Sequence, residues 1–350
     1  MKLPYCPHTF MSQSTLILEC REDDLRKAGE LIRGGELVVF PTETVYGLGA
    51  NALDPKACRK IFQAKGRPTD NPLIVHIASL EDIPKYTRKV TGMHVKLLER
   101  CMPGPITFVL PKSPAIPDIV TAGLPTVALR IPSLEEARKL ISYAGVPIAA
   151  PSANLSGEPS PTTFEMAYHA MAGRVAAIIR GRMCEVGLES SVVRLEKNLL
   201  ELLRPGYITI EALLKLGKEF GLEVVDKSQT LEEKPASPGT KYTHYKPKAT
   251  VYLFSSLEDV LSPLATIPSS TRILCPEQAC SKEVLDRILS MGINTVVFKN
   301  ITDYARHLFL QFHRADEEGI STILAYYPPP EGIGLALRNR LIKASGGIFV

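Results

Sequence analysis

Residues 37–77, LVVFPTETVYGLGANALDPKACRKIFQAKGRPTDNPLIVHI, constrain the chain more than any other stretch. The segment opens and closes with short apolar runs, Leu37 to Phe40 and Leu73 to Ile77, with the Val, Ile and Leu content of buried strands. Between them Thr42, Glu43, Thr44, Tyr46, Lys65, Arg67, Thr69, Asp70 and Asn71 fall where a strand gives way to a turn or a helix hands back to a strand. Such ends are held by a rigid scaffold, and binding groups collect there.

The span Pro55 to Lys65 carries Ala57, Ile61, Phe62 and Ala64 at helical spacing with charges opposite, which predicts one amphipathic helix. Asp54 supplies the N-cap and Pro55 the first helical position. Gly66 offers a left-handed cap and Pro68 forbids continuation. Lys65 and Arg67 leave the helix at its C-terminal end, where a lone cation would simply complement the dipole. With Asn71 and His76 close behind, they also make a grip for phosphate or carboxylate. Gly47 to Ala52 fits G-x-G-x-x-A, with Asp70 about 20 residues on. Pro41 to Tyr46 intervene after the strand, however, and Asp70 precedes the next apolar run, so dinucleotide binding stays a minor reading.

Composition bounds the rest. The 350 residues, 45% hydrophobic and 22% charged, suit an ordinary globular protein, and the length suggests two domains at roughly 150 residues each. A formal net charge of +4 makes no global demand for nucleic acid, so an anion site has to be a local cluster. The cysteines Cys6, Cys20, Cys58, Cys101, Cys184, Cys275 and Cys280 are scattered without a C-x-x-C pair, which argues for reduced thiols and against a zinc site. The N-terminus lacks the apolar run of a signal peptide, and Met11 is an alternative start. The long uncharged run Leu140 to Gly157 holds Pro147, Pro151, Ser152 and Asn154, unlike a bilayer span. The expectation is a soluble, cytoplasmic protein with no membrane partner.

Elsewhere the pattern repeats. Arg21 to Arg33 reads as a helix ended by Gly34-Gly35, Leu80 to Arg100 as a polar helical stretch, and Pro103-Gly104-Pro105 as a turn before the strand Ile106 to Leu110. Pro125 to Pro132 is a strand in which alternation sets Arg130 opposite Leu129, either as an edge charge or as an inward carboxylate ligand. The strand Val146 to Ala150 runs into Ser152 and Asn154, and Thr162 looks like a helix cap. Glu189, Ser190 and Ser191 precede the strand Val192 to Leu195, and Arg204 ends another. Five polar strand ends point to a shared cleft. No Walker loop, Ser-His-Asp order or H-E-x-x-H occurs.

Taken together, Pro41-Thr42-Glu43-Thr44-Val45-Tyr46-Gly47-Leu48, Lys65-x-Arg67, Asn71-Pro72-Leu73, Pro103-Gly104-Pro105-Ile106-Thr107, Ser152-x-Asn154, Glu189-Ser190-Ser191 and Leu203-Arg204-Pro205-Gly206 closely resemble the YrdC-like threonylcarbamoyl-adenylate synthases. The resemblance covers Leu16 to about Tyr207, with the motifs in matching order. It implies an α/β, twisted-sheet catalytic domain over 12–225 that condenses L-threonine, bicarbonate and ATP to threonylcarbamoyl-AMP and pyrophosphate. Other proteins then transfer the group to the tRNA adenosine just 3′ of the anticodon, with tRNA itself as a candidate partner. By matching position, Lys65 and Arg67 become the catalytic cations. Thr44, His76, Arg130, Ser152 and Ser190 surround threonine; Arg67, Asn71, Thr126, Asn154, Thr162, Arg204 and Tyr245 meet ATP. Mg2+ rides on the phosphates, and no organic cofactor is implied. His76, inside an apolar strand, also reads as a hydrogen-bonded core histidine.

Residues 226–248 are rich in Ser, Pro, Gly and charge and read as a linker. Ser237-Pro238-Gly239 through His244-Tyr245-Lys246-Pro247 resembles the connector of the longer family members, which lies over the active site. Strands over Thr250 to Phe254, Arg272 to Cys275, Thr295 to Phe298 and Thr322 to Tyr326 alternate with helices in 249–350, a small α/β unit with a parallel sheet. The family's long form carries a smaller, Rossmann-like C-terminal domain there. Gly332-Ile333-Gly334 follows three prolines and is not read as a nucleotide loop. Two rivals stand beside the synthase: an RNA-binding module with a basic cleft, and a carbamoyl-adenylate-forming maturation factor whose zinc-finger segments find no C-x-x-C counterpart.

Overall fold

The computed structural model describes residues 14–90, 92–228, 245–261 and 270–350. Cys6, the alternative start at Met11 and the linker from 229 to His244 lie outside the described residues. The short apolar runs become strands of two sheets. The first takes β1 (Leu16–Glu19), β2 (Val38–Phe40), β3 (Gly47–Asn51), β4 (Ile74–His76), β5 (Ile106–Pro111), β6 (Thr126–Arg130), β7 (Ile148–Ala149), β8 (Ala177–Arg180), β9 (Ser191–Glu196), β10 (Leu199–Arg204) and β11 (Glu223–Asp226). Their order is β1-β8-β2-β3-β7-β4-β6-β5-β9-β10-β11. β4 and β6 run parallel, as do β5 and β9, while β7 pairs antiparallel with both β3 and β4.

Side-chain alternation sorts the two faces. Val38, Phe40, Ala177 and Ile179 pack with Leu25, Ala28 and Ile32 of the helix Glu22–Arg33 and Ala137, Leu140 and Ile141 of the helix Glu135–Ala144. Val39 and Ile178 face the other way, toward Ala57 and Ile61 of the helix Pro55–Lys65 and Leu97 of the helix Gly92–Cys101. The Pro55–Lys65 helix has the expected ends: the Asp54 carboxylate accepts from the Lys56 N–H at 2.8 Å, and Gly66 takes φ 61°.

Two expectations need correction, and one minor reading is excluded. The glycine run Gly47 to Ala52 is not a nucleotide loop, because Gly47–Asn51 forms β3, antiparallel to β2 with Val38 opposite Gly49. A Cβ at Gly49 would lie 2.8 Å from the Ile148 side chain and 2.9 Å from the Phe40 ring, so the small residue answers packing. The stretch Leu80 to Arg100 breaks into the turn Leu80–Asp82 and the helices Ile83–Tyr86 and Gly92–Cys101, and Lys89 between them has φ 57°, which a continuous helix does not allow. Thr163, rather than Thr162, caps the helix Phe164–Met171, accepting from the Met166 N–H at 3.4 Å.

The second sheet is β12 (Thr250–Phe254), β13 (Thr271–Pro276), β14 (Asn294–Phe298) and β15 (Thr322–Tyr326), all parallel, in the order β12-β15-β13-β14. Helices Ile301–Glu317 and Gly334–Ser345 cover one face. Leu257–Leu261 and Lys282–Ser290 cover the other. Met166 and Leu188 of the first unit share a core cluster with Phe309 and Leu337 of the second, so the two are packed together. Among the described residues no helix is long and apolar enough to cross a membrane.

Gly29 tests this packing. It sits mid-helix, where alanine normally gains about 1 kcal/mol. Here a Cβ would come within 2.7 Å of the Ala144 backbone nitrogen and 2.8 Å of the Tyr143 carbonyl carbon. Gly29→Ala is therefore expected to destabilise by about 1–3 kcal/mol in chemical denaturation. A gain would show that the two helices are free to separate.

Candidate active site

Strand pairing gathers the polar ends. The register of β4 against β6 sets His76 opposite Arg130, each only 4% exposed. β7 lies on the other edge of β4 and delivers Ser152, which bridges to Gly47 and so draws in the Thr42 to Gly47 turn. In that turn the Thr42 and Thr44 hydroxyls are 2.9 Å apart, and Thr42 also donates to the Val45 carbonyl. The pairing of β5 with β9 brings Thr107 and Ser190 together, with hydroxyls 2.7 Å apart. Arg204, at the end of β10, donates to the Ser190 carbonyl at 2.8 Å.

These ends enclose a cavity of about 60 Å3. Thr44, Arg67, His76, Arg130, Ser152, Asn154, Ser190, Arg204 and Tyr245 all line it. Four of the expected site residues do not. Lys65 is buried just behind the wall, its ammonium donating to the Ser152 and Asn154 carbonyls, so it braces the turn that carries them. Asn71 is fully buried, and its backbone carbonyl accepts from Arg67 at 3.4 Å. Thr126 begins β6 just before Ala128, the partner of Ile74, and so stands at the Asn71 end of the sheet. Thr162 is buried with its hydroxyl 3.6 Å from the Met166 sulfur.

The cavity is short of counter-charge. Arg67, Arg130 and Arg204 line it against one lining carboxylate, Glu189. Glu43, just outside the lining, forms a 2.7 Å ion pair with Arg130 in which both side chains are 4% exposed. Burial alone would raise the Glu43 carboxyl; Arg130 outweighs it and holds the group below its ordinary range. Glu189 is likewise lowered against burial, by Arg340 and then Arg204. It accepts from Ser160 on one oxygen and from Arg340 at 3.1 Å on the other. Burial draws Arg204 down to about 10 and pulls Lys65 well below the usual lysine range, with Arg67 adding to the Lys65 shift. Several cations are thus held together in low dielectric, where an anion is most strongly attracted.

Buried polar atoms point the same way. Arg130 Nε, His76 Nδ1 and both carboxamide atoms of Asn71 have no hydrogen-bond partner. Each such group costs about 1–3 kcal/mol unless something supplies one. Tyr245 closes the cavity from the linker side. It adopts φ 67°, is 4% exposed, and stacks on Phe309 with ring centroids 5.2 Å apart. Sequence reasoning assigned no role to Glu43 or Glu189, although both sit inside recognised motifs, and it missed Arg340, whose helix follows a proline run without a strong apolar stripe.

Residues 30–206 match the Sua5–YciO–YrdC family model, described as telomere recombination, and residues 208–346 match the threonylcarbamoyl-AMP synthase C-terminal domain. Threonylcarbamoyl-AMP synthase of Pyrococcus abyssi is 39% identical over 344 residues, covering 95% of this chain and 98% of the relative. The Bacillus subtilis protein of the same name is 40% identical, covering 94% and 95% respectively. The crystal structure of P. abyssi Sua5 complexed with L-threonine superposes with a TM-score of 0.85 at 37% identity, over 96% of this chain and all of that one. The chain belongs to the Sua5–YciO–YrdC family, in its two-domain form.

Proposed function

We infer that this chain is an adenylyl-transferring enzyme that condenses L-threonine, bicarbonate and ATP to L-threonylcarbamoyl-AMP and pyrophosphate. The observation that carries the reading is the single cavity in which Arg67, Arg130 and Arg204 converge with the unpartnered Arg130 Nε and His76 Nδ1. Three anions have to share such a site: the threonine carboxylate, a carbamate and a triphosphate.

The two ends of the cavity suit different anions. Arg130, flanked by His76 and paired on one side by Glu43, presents its remaining edge to the threonine carboxylate. Thr44, Ser152 and Ser190 are placed to receive the threonine amine and hydroxyl. Arg67 and Arg204, together with Asn154, hold the triphosphate, and Asn71 and Thr126, set back from the cavity lining, support the nucleotide side. Lys65 contributes by fixing the Ser152 to Asn154 turn. The threonine nitrogen takes up the carboxyl carbon of bicarbonate with loss of water. A carbamate oxygen then attacks the α-phosphorus as pyrophosphate leaves. Bringing the groups into line and neutralising their charge does most of the work.

Mg2+ would be carried by the phosphates and lessen their charge. Glu43 and Glu189 are committed to arginines, so this donor set fits a metal held by the substrate rather than by a protein cage. A nucleotide is larger than the cavity as it stands, about 60 Å3, so ATP binding would displace Tyr245 from its lining. The product is a reactive mixed anhydride, which fits hand-over to proteins that modify tRNA; direct contact with tRNA belongs to the same proposal.

Pyrophosphate release measured with each substrate omitted in turn tests the reaction. Release is expected only with threonine, bicarbonate and ATP together, and release without threonine would overturn it. Arg67→Ala should lower kcat/KM about a hundredfold or more while leaving the thermal midpoint nearly unchanged, since Arg67 is half-buried at a helix–strand turn, where a cation adds little to stability. Normal turnover in that variant would remove Arg67 from the phosphate site. Burial, then Arg130, draws His76 down from 6.5 to about 3, so it acts as a neutral hydrogen-bond partner. Between those values the unfolded chain binds a proton that the folded chain does not, so this residue lowers stability as pH falls, by at most about 1.4 kcal/mol per pH unit. His76→Gln should therefore lose less stability than the parent chain between about pH 7 and about pH 5 in urea denaturation. Equal losses would mean that His76 is protonated in the fold.

A further inference from the structure

One buried side chain of the second domain braces two loops of the cavity wall. Arg340, on the helix Gly334–Ser345, is fully buried, and it is the largest side chain in the protein's described residues to be so. Its guanidinium pairs with the Glu189 carboxylate at 3.0 Å through Nη2, and Nε donates to the same oxygen at 3.1 Å. Nη1 donates to the Pro205 carbonyl, and Nη2 also reaches the Glu189 carbonyl at 3.4 Å. One side chain thus ties together two loops, Glu189-Ser190 and Arg204-Pro205, that line the cavity from neighbouring strands. Arg340 also lies 5.7 Å from the centre of the Tyr245 ring.

We propose that Arg340 is a positioning residue for the adenylation reaction: it neutralises Glu189 so that Arg204 is directed at the substrate polyphosphate instead of at that carboxylate. The proposal rests on the synthase reading. Glu189 and Arg204 both line the cavity, and Arg204 already bonds the Ser190 carbonyl and hydroxyl beside Glu189. Without Arg340, Arg204, which already helps to lower Glu189, is drawn to compensate it, and a carboxylate left uncompensated in low dielectric is strongly unfavourable. Either outcome harms nucleotide binding, because Arg204 is diverted or a negative charge faces the phosphates. Lys343, one turn further along the same helix, shows how positive this junction is: burial, then Arg340 and Arg204, draws it down to about 7. An excess of cations around one carboxylate leaves net positive charge for an incoming polyanion. This also gives the second domain a part in a reaction whose other groups belong to the first domain and the linker.

The test compares the full-length parent chain with Arg340→Gln, Arg340→Lys, Glu189→Gln and the Glu189→Gln/Arg340→Gln double variant. It reads KM for ATP and for threonine, kcat, and the thermal midpoint. Arg340→Gln should raise KM for ATP at least about tenfold with a much smaller change in KM for threonine. Arg340→Lys should fall between it and the parent. The double variant should return KM for ATP to within about threefold of the parent, because no buried carboxylate remains to be compensated. Should Arg340→Gln fail to fold, the double variant decides: a restored fold with near-parent KM for ATP upholds the proposal, and a restored fold with KM still raised overturns it. Equal loss for both substrates, or no rescue by Glu189→Gln, identifies Arg340 as a structural tie only and overturns it too. A parent chain that makes no threonylcarbamoyl-AMP would instead sink the synthase reading, so the two failures are distinguishable.

Discussion

The structure depends on keeping several cations out of water before their anionic partners arrive. Arg130 is the clearest case. A guanidinium 4% exposed is tolerated because Glu43, equally buried, neutralises it from one side. The pair leaves Arg130 Nε without a partner, in a residue that lines a cavity together with Arg67 and Arg204. Stability is given up for a field that is already oriented when the substrates bind, so little reorganisation remains to be done during reaction.

Topology makes this arrangement affordable. β4, β6 and β7 are adjacent although other elements separate them in the chain, so His76, Arg130 and Ser152 come from three rigid strand ends rather than one mobile loop. β5, β9 and β10 do the same for Thr107, Ser190 and Arg204. The second domain then seals the far side with Tyr245 on Phe309 and Arg340 on Glu189. The same packing that completes the cavity also narrows it, with Tyr245 on its lining.

Much of this was readable from residues alone, because local chemistry decides it. Asp54, Pro55 and Gly66 bound their helix by capping rules that need no tertiary context, and the apolar runs at Val38, Ile74 and Ile106 are strands by composition and length. Alternation placed Arg130 opposite Leu129, and tertiary pairing settled that this face points inward. Long-range partners escaped. Nothing near Glu43 announces Arg130, and nothing near Glu189 announces Arg340, since each pair is made by folding. β3 was obscured because its glycines, selected by the Phe40 ring and Ile148, mimic a nucleotide loop. Lys65 looked like a substrate ligand, yet two backbone carbonyls claim its ammonium.

One positively lined pocket is proposed to hold an amino acid and a nucleotide side by side. A crystal structure of the chain with L-threonine and a non-hydrolysable ATP analogue bound together tests it most directly. The expected result has the threonine carboxylate on Arg130, the triphosphate between Arg67 and Arg204, and the amine facing the α-phosphate across the space of one carboxyl group. Threonine bound away from Arg130, or the nucleotide in a separate site, would contradict it.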